Sequence, residues 1–542
     1  MKYCLSFLLG CLFTSLSAQS LIPNPSVLNF GDNFENQIDS LSISLDNPLP
    51  YPVAITEIRF FNTYTAKDFW VNNSNLSVPA KGQLSFFVYF QPRHNISYNS
   101  EMLILTDSKR GSLSVNLRGV GKYSIPYYNG LANKEEQALK GAISSLLAQN
   151  YVQLSYNASR DEMFMVIDNQ RVNGQGASIN TLEGAYTGQQ ISGFANRTGA
   201  QSMGFNTEHV FPQSFFSSNL PMRSDIHHLF PTEASANGER GNLPFGVVSN
   251  PSWQVGGSKK GNGRFEPRDE HKGEIARAML YFVLRYQDYN NFIASQTAIL
   301  KQWNIDFPPD EVALKRNDDI EAVQGNRNPF VDYPQLAERI TNFSANSVAT
   351  ANWQLDREAG NIAFDTVGFP TQAYYQYPLV NHGNQDIQLN QLSFKQGFFS
   401  FKDNSGSPAT ISPGEAITIL IRPDNGIGLV NDTLQITTNI PGTEQISVPI
   451  SAFLDTANPI ESTFSSPFSV FPIPSRGTLF LEGGNPQQKT HYQLSDLQGK
   501  WVLSGSWQGE KHQVSVANLA AGVYLLSLQE GGNRWSQKVY IR

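Results

Sequence analysis

The sequence predicts a multidomain protein, with an α+β central domain flanked by two β-sandwiches and a further all-β domain beyond them. Three observations predict it. The chain has 542 residues, too many for one hydrophobic core. Two stretches on either side of the middle repeat the same alternating apolar patterns. Between them the apolar period lengthens from two residues to the 3.6 of a helix.

Residues 1–18 read as a secretory signal peptide. Lys2 is the positive region, Leu5 to Phe13 the apolar one, and Ser15-Leu-Ser-Ala18 a small-residue cleavage site. Leu8-Leu-Gly-Cys11 has the outline of a lipobox, but Leu12 and Phe13 continue the apolar run past it. Both cysteines, Cys4 and Cys11, fall inside this segment, so the mature chain is expected to carry no disulfide. No later segment has about 18 consecutive apolar residues, the signature of a membrane helix.

The first repeat unit covers residues 19–121 and the second residues 346–454. Leu45-Asp-Asn47 and Val53 to Phe60 correspond to Leu379-Val-Asn381 and Ile387 to Phe394. The alternating runs Leu84 to Phe90 and Ile417 to Ile421 each lead into a proline, Pro92 and Pro423. Period-two runs separated by Pro, Gly and Asn turns are the mark of half-buried antiparallel strands. About seven strands in roughly a hundred residues suggest a sandwich. Both units resemble the Ig-like modules attached to bacterial secreted enzymes.

The central domain is assigned to residues 122–345. Residues 134–147 and 270–286 have helical periodicity, the latter with Ile275, Met279, Leu280, Val283 and Leu284 on one stripe. Residues 455–466 read as a linker. Residues 467–542 return to short strands. Their landmarks are Phe471-Pro-Ile-Pro474, Leu494-Ser-Asp-Leu-Gln-Gly499, Leu519-Ala-Ala-Gly-Val-Tyr524 and the run ending at Arg542. This segment resembles the type A C-terminal sorting domain of the type IX secretion system of Bacteroidetes. The resemblance implies a secreted or cell-surface protein that reaches its place through the periplasm and a secretion machinery. A third generic β-sandwich is the competing reading.

Aromatic residues make up 12% of the chain and charged residues 16%, a mix that suits an extracellular β-rich protein. The net charge of −7 excludes a broad basic surface. Contact with a phosphate backbone must therefore come from local clusters.

The densest chemistry lies in Asn206-Thr-Glu-His-Val-Phe-Pro-Gln-Ser214, Asp225-Ile-His-His-Leu-Phe-Pro231 and Asn237-Gly-Glu-Arg-Gly-Asn242. There is no cysteine and no Gly-x-Ser-x-Gly, which argues for a hard-metal site with a histidine base over a covalent nucleophile. Phosphodiester cleavage needs a deprotonated water, positive charge on the phosphate and a stabilised leaving oxygen. A near-neutral histidine suits the first task. A divalent cation held by few protein oxygens suits the others. Adjacent strand residues point to opposite faces, so Glu208 and His209 need a bulge or turn to reach one site.

These motifs, with Asp161-Glu-Met-Phe164, Ala185-Tyr-Thr-Gly188, Phe265-Glu-Pro-Arg-Asp269 and Gln324 to Phe330, resemble the endonuclease I family of secreted bacterial nucleases. The likeness extends over roughly residues 127–334. It implies a ββα-metal (His-Me) finger, with His209 as general base and Glu208 and Asn237 as ligands of Mg²⁺ or another divalent cation. Asp225, His227, His228, Arg240 and Asn242 fall on its supporting blocks. Arg240 and Asn242 are expected to hold the loop and the ligating Asn237. Either His227 or His228 faces the site, or both serve as buried hydrogen-bonding residues. Arg223 is the candidate for stabilising the phosphate, with a structural salt bridge as the competing role. The basic, glycine-rich loop with Lys259, Lys260 and Arg264 either grips nucleic acid or is merely solvated. Asn326 and Asn328 are expected to make turn hydrogen bonds in a loop under the site. His271 and His382 are expected at the surface.

The implied function is a metal-dependent endonuclease acting on DNA with little sequence specificity, with RNA as a further substrate left open. Two other readings remain at this stage: an extracellular ribonuclease, and a non-catalytic adhesion protein with a degenerate nuclease core.

Overall fold

A computed structural model describes residues 20–64, 67–73, 75–368, 374–455, 468–496, 500–531 and 533–542. The expected signal peptide, with Cys4 and Cys11, lies outside the described residues, as does the expected linker apart from Asp455. The described chain forms two compact units, one holding the two sandwiches and the central domain and the other the last domain.

The first sandwich has strands β1 (Ile22–Asn24), β2 (Val27–Phe34), β3 (Asp39–Asp46), β4 (Val53–Phe60), β5 (Phe69–Trp70), β6 (Leu76–Val78), β7 (Gln83–Phe90), β8 (Ser97–Thr106) and β9 (Leu113–Lys122). They form two sheets, ordered β1-β3-β7-β5 and β2-β9-β8-β4-β6. Alternation directs Leu113, Val115 and Leu117 of β9 inward, onto Leu28, Ile43 and Val88.

In the central domain, β10 (Thr181–Glu183) pairs with β11 (Gln190–Ser192), and β12 (Phe205–His209) with β13 (Leu229–Glu233). Strands β14 (Trp253–Val255), β15 (Ser258–Gly261) and β16 (Arg264–Glu266) form a three-stranded sheet. The basic segment read as a loop is therefore mostly strand, with its glycines at the turns. The helices are α1 (Glu136–Ala148), α2 (Tyr156–Glu162), α3 (Arg197–Ser202), α4 (Ala234–Arg240), α5 (Asp269–Arg285), α6 (Thr297–Asp306), α7 (Glu311–Gln324) and α8 (Pro329–Asp332). The two expected helices correspond to α1 and α5. α5, however, is buried all round from Ile275 to Leu284 and not on one stripe. It forms the centre of the core, packed against α1, α6 and α8.

The second sandwich has strands β17 (Leu355–Arg357), β18 (Ile362–Gly368), β19 (Tyr375–Asn381), β20 (Ile387–Phe394), β21 (Phe399–Phe401), β22 (Ala409–Ile411), β23 (Ala416–Pro423), β24 (Gly428–Thr438) and β25 (Gln445–Asp455). Its sheets, β17-β19-β23-β21 and β18-β25-β24-β20-β22, repeat the first sandwich strand for strand. The repeat extends to single side chains. Asn47 donates to the carbonyls of Tyr51 and Val78, and Asn381 to those of Gln385 and Ile411. Both pairings of the fourth strand carry a register shift at the same place, Ile55/Glu57 and Leu389/Gln391.

The last unit is a separate sandwich of two sheets. These contain β26 (Phe468–Phe471), β27 (Thr478–Gly483), β28 (Lys489–Ser495), β29 (Trp501–Gln508), β30 (Lys511–Ser515), β31 (Gly522–Glu530) and β32 (Asn533–Ile541), ordered β26-β27-β30 and β29-β28-β31-β32. Tyr524 of its landmark run donates to the Ala520 carbonyl at 2.8 Å, pinning the corner ahead of β31. Among the described residues no helix is long and apolar enough to cross a membrane.

Candidate active site

The three motifs fold into a β-β-α unit. β12 and β13 pair antiparallel, with His209 opposite Leu229, Glu208 opposite Phe230 and Phe205 opposite Glu233. α4 follows β13 directly and packs back on the ribbon. The register has no shift, so of the expected bulge or turn no bulge lies between Glu208 and His209; His209 is instead the last residue of β12, where the strand ends. Glu208 shares a face with Asn206, toward α4; His209 points to the other side.

On the α4 side, Glu208 is 2% exposed. Its Oε1 accepts from the Tyr186 hydroxyl at 2.7 Å and lies 3.2 Å from the Arg240 guanidinium. Burial pushes the carboxyl above its usual range, against the pull of Arg240 and Tyr186. Arg240 also donates to the carbonyls of His209 and Val210, at 3.3 and 2.6 Å. It thus fixes both the carboxylate and the backbone that carries the histidine. Asn237 donates from Nδ2 to Asn206 Oδ1 and to the Thr207 carbonyl, at 2.9 and 3.2 Å. Asn242 does not touch Asn237, contrary to expectation. It is exposed and donates to Ser214 Oγ, tying the end of α4 to the loop after β12.

On the other side, His209 Nε2 lies 3.2 Å from the Arg223 carbonyl. A carbonyl only accepts, so Nε2 carries the proton and Nδ1 keeps its lone pair. Burial, His228 and the cations of Arg223 and Arg160 hold His209 down at about 3, so it is neutral at physiological pH. The Arg223 guanidinium stacks on Tyr156, 4.1 Å from the ring centroid, and forms no ion pair among the described residues. The competing salt-bridge role is therefore not met. Sequence reasoning missed Tyr156 and Arg160, which come from α2, some fifty residues ahead of His209. The Tyr156 ring lies 5.7 Å from that of His209, and Arg160 stacks on it at 4.1 Å. No motif marks them; only the fold brings α2 to this place.

The remaining expected residues are supports. Asp225 Oδ2 accepts from Tyr281 and Tyr286, both at 2.8 Å, and Oδ1 from Gln324 at 2.8 Å. His227 Nε2 donates to the Asn326 carbonyl at 3.0 Å, and His228 Nε2 to that of Met222 at 2.7 Å. Both rings are buried, and burial lowers both pKa values, that of His227 to about 4. His228 forms a wall 5.6 Å from His209. Asn326 and Asn328 reach much further than a turn, to Leu147, Tyr281 and Arg277, and Asn328 also caps α8.

Lys259 is paired with Glu266 at 3.5 Å and Lys260 with Glu239 at 2.9 Å. Arg264 donates to the Phe245 carbonyl at 3.1 Å. The two lysines are thus largely neutralised. The expected surface histidines are also paired: His271 with Glu274 at 2.5 Å, and His382, buried beneath Phe61, with Asp356 at 2.7 Å.

Two oxygens of the α4 side accept no hydrogen bond among the described residues, Glu208 Oε2 and Asn237 Oδ1. A carboxyl and an amide oxygen are the hard donors that suit a divalent cation keeping most of its water. Among the described residues no cluster of three or more His, Cys, Asp or Glu side chains could cage an ion.

Residues 133–335 match the Endonuclease I family model. The central domain is an endonuclease I domain. The chain is therefore a nuclease. Residues 469–542 match the secretion system C-terminal sorting domain, which makes it a secreted or cell-surface protein. Over 232 residues the nuclease is 28% identical to the extracellular ribonuclease of Bacillus subtilis (strain 168), covering 40% of this chain and 77% of that protein. An extracellular ribonuclease of Bacillus amyloliquefaciens matches to the same extent. An extracellular deoxyribonuclease of Aeromonas hydrophila is 32% identical over 116 residues, 20% of this chain and 50% of that one.

Proposed function

We propose that this nuclease is a divalent-metal-dependent endonuclease that hydrolyses phosphodiester bonds of DNA and RNA with little sequence preference. The observation that carries the reading is His209, buried, neutral and with Nδ1 free, beside the uncompensated Arg223. His209 Nδ1 takes the proton of the attacking water. The Arg223 guanidinium offsets charge that grows on the phosphate oxygens. Glu208 Oε2 and Asn237 Oδ1 would hold Mg²⁺, which when bound supplies Lewis-acid stabilisation of the phosphate and leaving oxygen. Arg240 and Tyr186 favour the ionised form of Glu208 against its burial and aim the carboxylate, and Arg240 sets the His209 carbonyl. The β-β-α unit supports the His-Me finger reading.

Ribonucleases among the relatives of greater span favour RNA as a substrate, and the deoxyribonuclease supports DNA. Phosphate chemistry at His209 is common to both. Incubation with plasmid and with ribosomal RNA, with and without EDTA, tests the reading. Both polymers should be cut, and EDTA should stop both; cleavage that persists in EDTA would contradict the role of Glu208 and Asn237.

A further inference from the structure

The strongest unassigned feature is Arg160 of α2, which shares the Tyr156 ring with Arg223 from the turn ahead of Asp225. Arg160 and Arg223 each place their guanidinium carbon 4.1 Å from the centroid of one ring, Tyr156. The two carbons are therefore no more than twice that distance apart. Neither forms an ion pair among the described residues. Arg160 donates only to neutral acceptors, Asn157 Oδ1 at 2.6 Å and the Tyr156 carbonyl at 3.4 Å. Arg223 Nε is buried with no partner. The nearby carboxylate, Asp161, is already taken by Arg197 at 2.7 Å.

Contrast a polar cleft of about 460 Å³ lined by residues of β13, α5 and α7 in the same domain. There Arg316 is matched by Asp168, Arg268 by Glu183 and His271 by Glu274. Beside His209 the positive charge is left uncompensated. Burial lowers the Arg160 pKa; Tyr156 and Asp161 pull it back up, while the neighbouring cations Arg197 and Arg223 repel it and lower it further. In a chain of net charge −7, uncompensated, mutually repelling guanidiniums are relieved by an anionic ligand.

We propose that Arg160 binds the phosphate next to the scissile one, so that Arg160 and Arg223, flanking Tyr156, grip two consecutive phosphates of a single strand. The proposal rests on the endonuclease reading, in which Arg223 faces the scissile phosphate. Successive phosphates of one strand rise ~3.4 Å along the helix axis and lie further apart than that in space, a separation that the shared ring leaves room for, since it bounds the distance between the two cations only from above. Both guanidiniums offer planar forks for phosphate oxygens, and the shared ring holds them in place. The contact reads no base, in keeping with cleavage of little sequence preference.

The test uses the full chain carrying His209→Ala, which binds without cutting, and a labelled single-stranded oligonucleotide titrated at several salt concentrations. Arg160→Gln should weaken binding about tenfold near 0.1 M salt and lower the salt slope by about one phosphate contact, with Arg160→Lys recovering part of the loss. An unchanged slope overturns the proposal. In the otherwise wild-type chain, the loss in kcat/KM for Arg160→Gln should be carried by KM. It should be at least about fivefold smaller on a dinucleotide, which has one phosphate, than on the oligonucleotide. Equal losses on both would mark Arg160 as structural and overturn the grip. A parent chain that cuts no nucleic acid would sink the endonuclease reading, while the binding slope still judges Arg160.

Discussion

Arg240 is 1% exposed and bonds Glu208 and the backbone of His209 and Val210 at once. Arg240→Met would leave the Glu208 carboxylate buried without its cation, a loss of about 3–5 kcal/mol. Thermal melting should show the central domain unfolding early; an unchanged transition would deny the pair its structural role. Glu208→Gln keeps an acceptor for Tyr186 and should fold. It should raise the Mg²⁺ concentration for half-maximal cleavage about tenfold or more; a wild-type metal titration would remove Glu208 as a ligand. His227 makes a pH prediction. Its folded value of about 4 lies below the ~6.5 of an exposed histidine. Between these values the unfolded chain takes up a proton that the folded domain refuses. Stability is therefore intact above about pH 6.5 and declines as pH falls toward 4. His227→Gln should flatten that decline in melts from pH 7.5 to 4.5. At this scale the sequence exposes identity but not partnership. Glu208, His209 and Asn237 stand out by their neighbours, whereas Tyr156 and Arg160 carry no local mark, and Tyr186 lies in a landmark run that does not announce its partner, because only tertiary packing brings these side chains to the site.

The β12–β13 ribbon and α4 form one unit, and Asp225 ties the connection within it to the helical core. Asp225 receives Tyr281 and Tyr286 from the α5 end and Gln324 from the end of α7. In Asp225→Asn the amide nitrogen cannot accept from the tyrosines. A loss of roughly 1–3 kcal/mol per stranded buried group is expected, read as a lower melting temperature of the central domain. Wild-type melting would show these bonds to be dispensable. Long, strongly periodic elements were legible: α1, α5 and the sandwich strands. Short ones were not. α4 has seven residues, one of them Gly238, and follows β13 without a break, so no apolar period announces it. The β14–β16 sheet hid behind Gly256, Gly257, Gly261 and Gly263, which read as loop but make the turns and edges of very short strands. α5 was legible as a helix but not as a buried one, because its central place depends on the helices packed around it.

Across the first compact unit the domains are joined by specific contacts. Tyr333 donates to Glu35 of the first sandwich at 3.2 Å, and the buried Arg339 donates to Asn95 of the first sandwich at 2.7 Å. Backbone bonds link Gln376 of the second sandwich to Arg110 and Ser112 of the first. At Gly111 a Cβ would meet the Gln376 carbonyl at 1.9 Å. The internal repeat was legible because two copies of one pattern could be compared; these joints were not, since they rest on single polar residues. A fragment of residues 122–345 holds every residue assigned to the chemistry and should cleave. It strips Asn95 from Arg339, and should melt below a fragment of residues 20–345; equal melting would show that the joint adds no stability. Removing residues 468–542 should hold the protein in the periplasm with cleavage intact, as fractionation would show. Equal export of both forms would contradict the sorting role. The most direct test of the whole account is cleavage of plasmid and ribosomal RNA by the full chain and by His209→Ala, each with Mg²⁺ and with EDTA. The wild type should cut both polymers only with metal, and His209→Ala should lose on the order of 10²–10⁴-fold while keeping its circular dichroism. Cutting by His209→Ala at near the wild-type rate would contradict the assignment of the base, and with it the site built around His209.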